Sequence, residues 1–187
     1  MLVGAVGLAV GALTSFGQTY LGGTLNAFVN SASAWLIAPF LLGRLMSTRG
    51  GAAAAGLAVA LNQLVGYYLT AHLRGYPPGG AIVLFWVACA LMGGPLFGAG
   101  GHLSRYGTLQ TAGLGSMLLP ASFLAEGLWV YLHQLRYDAT AALWVGIGLA
   151  LCLLIPADLR ECRWLPFTLV LATVGEIVIS HIYRQAF

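Results

Sequence analysis

Residues Ser122–Leu135 read SFLAEGLWVYLHQL. Thirteen of these fourteen side chains suit a bilayer or its border, and the exception is Glu126. A carboxylate inside a greasy helix is costly unless it faces a partner or a cavity, so it marks a functional position by default. The reading depends on whether the helix around it crosses a membrane.

The rest of the chain answers that. Of 187 residues, 59% are hydrophobic and only 7% are charged, where a soluble domain carries roughly 25% charged residues. So few charges cannot cover a surface that faces water. The composition predicts an all-α integral membrane protein, a polytopic helical bundle forming a single domain over residues 1–187, with membrane lipid as its surroundings.

A spanning helix needs about 20 mostly apolar residues. Seven segments qualify, at 1–17, 30–46, 51–73, 79–101, 107–133, 138–156 and 165–184. The second is short and holds Pro39, so the expectation is six to seven spans. Breakers fall between them, at Gly22-Gly23, Gly50-Gly51, Pro77-Pro78-Gly79-Gly80 and Gly100-Gly101. The N-terminal run has no positive n-region and is read as a retained helix. The connection Gly17–Val29 is polar and aromatic, fit to fold over a cavity mouth.

In a seven-span arrangement, Arg44, Arg49, Arg105, Arg160 and Arg163 lie on one side, and Arg74, Arg136 and Arg184 on the other. The excess places the first set in the cytoplasm. All basic residues are Arg, and the net charge of +3 is small and scattered, which speaks against nucleic acid as a partner. Cys89, Cys152 and Cys162 are widely spaced and form neither a disulfide framework nor a zinc pattern.

Helix rise places Glu126 about 10 Å, and Glu176 about 12 Å, below the outer ends of their helices. Asn62 and Gln63 sit near mid-membrane. Polar groups therefore collect in the half opposite the Arg-rich loops, as expected for a pocket open to the outside. At α-helical spacing Glu126, Trp129 and His133 share one face. A carboxylate beside an indole suits a cationic or heteroaromatic ligand. The plain alternative is that Glu126 is hydrogen-bonded to a neighbouring helix and Trp129 anchors the interface. Of Asn62 and Gln63, at least one is expected to join helices. Asn30-Ser31 can cap the helix holding Trp35, and Pro39 can free backbone groups toward a pocket. Candidate solute contacts are thus Glu126, Trp129, Glu176, Asn62, Gln63, Trp35 and His133.

Convergence of His72, His133 and His181 would suit a metal, yet no metal-spacing motif supports one, and no metal or other cofactor is expected. No catalytic motif is present, so the chain does not read as an enzyme. Asp158, Arg160, Glu161 and Arg163 read as a solvated turn. In the first helix Gly7 and Gly11 are four apart, as are Ala5 and Ala9, and such spacing serves close packing inside the bundle or docking to another subunit.

Taken together, the size, the lid-like Gly17–Val29 loop, the run PFLLGRLMSTRGGAAAAGLAVAL and the Ala5-x-x-x-Ala9 pattern resemble the substrate-binding S components of energy-coupling factor vitamin transporters. The chain also resembles uncharacterised bacterial membrane proteins with an Asn-Ser-x-x-x-Trp segment, here Asn30, Ser31 and Trp35. The first resemblance implies a bacterial inner-membrane protein that binds a vitamin-like or cationic small-molecule ligand from outside. It implies docking through Ala5 and Ala9 to a transmembrane coupling subunit that carries ATPases. A proton-coupled secondary transporter using Glu126 and Glu176, or an assembly protein without a ligand, are the rival expectations.

Overall fold

The computed structural model describes residues 2–77 and 79–186. Met1, Pro78 and Phe187, including one proline of the 77–80 breaker, lie outside the described residues. Among the described residues every regular element is helical. The helices are α1 (Leu2–Tyr20), a 3-10 turn at Gly23–Asn26 with the short α2 (Ala27–Asn30), α3 (Ala32–Leu45), α4 (Arg49–Leu73) and α5 (Gly80–Tyr106). There follow α6 (Leu109–Ala125), a π-wound segment at Glu126–Gln134, α7 (Asp138–Leu154), a 3-10 turn at Leu159–Trp164 and α8 (Leu165–Ala186).

Five stretches are long and apolar enough to cross a membrane: Leu2–Tyr20, Arg49–Leu73, Gly80–Tyr106, Leu109–Gln134 and Leu159–Gln185. A sixth exists if the bent pair Gly23–Asn30 and Ala32–Leu45, angled by 53°, counts as one span. The expected segment 138–156, sixth in chain order, folds as a shorter apolar helix, Asp138–Leu154. The polar connection after α1 is mostly helical: α1 continues to Tyr20 and the chain re-enters a helical turn at Gly23.

Local chemistry sets the starts. Ser31 caps α3, its Oγ accepting from the Ala34 amide at 3.1 Å, as the sequence leads one to expect. Asn30, its neighbour, instead donates to Asn26 Oδ1 at 2.6 Å and accepts from Gln18 Nε2 at 2.7 Å. Thr48 caps α4 through the Gly51 amide at 3.1 Å.

The chain divides into two compact units, residues 1–99 and 100–187. In the first, α1 lies against α4 on a glycine seam. A Cβ on Gly7 would stand 2.6 Å from Asn62 Cβ and 2.7 Å from the Val59 oxygen, and one on Gly11 would fall on the Gln63 and Tyr67 backbones. Gly66 of α4 answers with Leu8 of α1. Ala5 and Ala9 are on the exposed side of the same helix. Gly56 of α4 meets Gly94 and Gly98 of α5, and Gly43 of α3 also reaches Gly98. Missing side chains here let backbones touch, so the helices pack closely.

In the second unit α6 is the central post. Every residue from Leu119 to Ala125 is buried. Met117, Leu124 and Cys152 form the core, with Val145, Cys162, Trp164, Leu165 and Leu169 packed on it. The expected solvated turn at 158–163 needs correction at Glu161, which is 3% exposed. One oxygen accepts from Ser116 Oγ at 2.6 Å, and the other accepts from the Asp158 amide at 3.3 Å to complete a capping box. A buried acceptor with both oxygens engaged outweighs the solvation its neighbours keep.

Candidate functional site

α6 brings Glu126 to the end of its α-helical part, where the winding changes. From Glu126 to Gln134 the backbone is a π-helix, a form in which each amide reaches five residues back. The Leu135 amide still donates to the Val130 carbonyl at 2.9 Å, and the Tyr137 amide donates to Tyr131 at 2.8 Å. The segment then leaves through Arg136, the one described non-glycine residue with positive φ, at 59°.

This winding corrects the expected face. A single α-helix through 107–133 would stack Trp129 and His133 over Glu126. In the π register the residue above Glu126 is Tyr131, five further on. Burial follows that register: Glu126, Gly127 and Tyr131 are buried, Trp129 is half-buried and His133 is exposed. The Trp129 and His133 rings do meet, stacked at 4.8 Å with 30° between planes. The Trp129 Nε1 is buried without a hydrogen-bond partner. Tyr131 packs edge-on against Trp144 at 5.2 Å, and Trp144, fully buried, also meets Phe123 at 6.0 Å. Periodicity alone gives no signal for Tyr131, because the change of register leaves no mark in the order of residue types.

Opposite this segment stands α8. Glu176 is 9% exposed and Glu126 4%, and the two carboxyl groups lie near enough for their charges to interact. Four residues on from Glu176, Ser180 Oγ accepts from Gln134 Nε2, eight residues on from Glu126, at 3.2 Å. Two buried acids on separate elements are thus close enough to interact, and the same two elements are tied by the Gln134–Ser180 hydrogen bond. Among the described residues no group of three or more His, Cys, Asp or Glu could hold a metal ion.

The other candidates lie in the first unit. Pro39 has no amide hydrogen, so the Trp35 carbonyl four residues earlier has no helical donor. Gln63 supplies one: its Nε2 donates to the Trp35 oxygen at 3.3 Å. Gln63 is 1% exposed, and its Oε1 has no partner. Asn62 turns back on its own helix and donates to the Ala58 carbonyl at 2.7 Å. Of the pair, Gln63 joins helices. The Trp35 ring meets Tyr67 edge-on at 5.7 Å and its Nε1 donates to the Val29 carbonyl at 3.4 Å. Tyr67 in turn donates to Gln18 Oε1, and Arg74 donates to the Ser15 carbonyl and to Thr19 Oγ1. This polar end ties α1, α2 and α4, and Arg74 within it enters the sequence reading only as an arginine of the outer side.

The family model described as "Family of unknown function (DUF6518)" matches residues 1–186. No curated protein and no solved structure matches the chain.

Proposed function

The chain belongs to the DUF6518 family, and on that footing we propose that it is an integral membrane protein that binds a small cationic solute at the Glu126–Glu176 pair. Its task in this reading is uptake across a bacterial inner membrane, in the manner of an S component, with energy supplied by a partner subunit. The observation that carries it is the closeness of two buried acids from α8 and the π-wound end of α6. Two carboxyl groups this deep make negative charge costly there, and an incoming cation offsets that cost. Trp129, with its unpartnered Nε1, is the aromatic neighbour on the same segment. In this reading Trp35 and Gln63 hold the first unit together, Asn62 bonds within its own helix, and none of the three is a solute contact.

The test is binding of tetramethylammonium and of Na⁺ to the purified protein in lipid nanodiscs. Glu126→Gln and Glu176→Gln should each weaken binding by about tenfold or more while the melting temperature moves little. Parental affinity in both variants removes the reading. The same pair also favours a second reading, in which the positive charge is a proton and the protein is a secondary transporter. Proteoliposomes containing only this chain would then take up solute under a pH gradient, whereas the first reading requires the partner.

A further inference from the structure

The π-wound segment Glu126–Gln134 sits between two fixed points. At its start Gly127 is wedged against α7, where an added Cβ would stand 3.0 Å from Trp144 Cβ and 3.2 Å from the Val145 amide nitrogen. At its end the anchors are lighter: one neutral hydrogen bond from Gln134 to Ser180, and the left-handed backbone of Arg136. A non-glycine residue at positive φ is disfavoured and persists only where its surroundings hold it. The same segment leaves Trp129 Nε1 buried and unsatisfied, a cost of about 1–3 kcal/mol. Strain at the exit and an orphaned donor in the middle both belong to the register the chain has adopted.

The other register changes which residues stand over Glu126. Rewound so that each amide reaches four residues back, Trp129 and Val130 come over Glu126 in place of Tyr131, and His133 follows one turn later. Trp129 then stands on the same helix face as Glu126.

We propose that this segment is the moving half of the solute site: it rests in the π register and rewinds to the α register when a cation enters between Glu126 and Glu176, bringing Trp129 over the cation. The solute class that fits is an organic cation of the substituted-ammonium type, because its charge is held by two carboxylates on one side and its apolar shell lies on an indole on the other. The inference rests on the solute-binding reading for its trigger, and its motion is measurable without any solute.

Hydrogen–deuterium exchange on the full chain in nanodiscs tests it. Without solute, amides 128–135 should exchange at least about tenfold faster than amides 115–124, because each change of register opens them. Arg136→Gly, which relieves the positive φ and so steadies the π register, should slow that exchange several-fold and weaken tetramethylammonium binding by about the same factor. Exchange as slow as in α6 overturns the inference, whatever the solute does. Fast exchange that Arg136→Gly leaves unchanged is fraying of a helix end and overturns it too. If the segment behaves as described yet tetramethylammonium does not bind, the moving element stands, and the solute class and the reading beneath it fall.

Discussion

Gln63 of α4 donates its side-chain amide to the carbonyl of Trp35 in α3, and that carbonyl is the one Pro39 cannot serve. A helix broken at one residue is mended by a side chain 28 positions away. The pairing also fixes the amide: its nitrogen must face Trp35, so its oxygen is the atom left over.

The first prediction tests this mend. Gln63→Met keeps the volume and removes the donor, which should lower stability by about 1–3 kcal/mol. In a Pro39→Ala background the helix regains its own donor, and the same substitution should cost markedly less. Denaturant melts of the four proteins in one detergent give the coupling. Equal costs in both backgrounds would show that Gln63 serves something other than the Trp35 carbonyl.

Glu161 and Ser116 give a second cycle. Their hydrogen bond of 2.6 Å is buried, so Ser116→Ala and Glu161→Gln should be strongly non-additive, with a coupling of about 1 kcal/mol or more. Additive effects would mean that Glu161 acts through its capping box alone.

Glycines separate into two kinds. Gly56 and Gly98 face each other's backbone, and Gly56→Ala or Gly98→Ala should destabilise by about 1–3 kcal/mol through overpacking. Gly146, inside α7, has open space where a Cβ would go, so Gly146→Ala should stabilise by about 0.5–1 kcal/mol. Thermal melts that rank these variants otherwise would contradict the seam.

On α1 the two small-residue patterns predict opposite outcomes. Gly7→Leu drives a side chain into Val59 and Asn62 and should prevent folding. Ala5→Leu and Ala9→Leu point outward and should leave the melting temperature of the isolated protein unchanged. If α1 docks on a coupling subunit, those same variants lower uptake in cells and the amount of partner recovered with the protein. Normal uptake in both would remove Ala5 and Ala9 from that role.

Much of this was legible in the residues. Apolar runs announce their helices, and Ser31 announces its cap, because both signals are local. The inward use of Gly7 and Gly11 was readable as one of two outcomes, and geometry chose between them. The face around Glu126 was misread because residue order carries the α period by default, and the tertiary contacts of Gly127 and Gln134 select a different winding. Glu161 was misread for a similar reason: its partner Ser116 lies 45 positions away, and no local pattern points to it. The pairing of Glu126 with Glu176 was legible only as two acids at similar depth.

The central place of α6 governs the order in which the second unit is assembled. Proteins are made from the N-terminus, so α6 leaves the ribosome before α7 and α8, the helices that cover it. Glu126 is synthesised well before Glu176. Until α8 is made, the post of this unit lacks the helix that carries Glu176, so α8 is the keystone whose delay or loss strands everything made just before it.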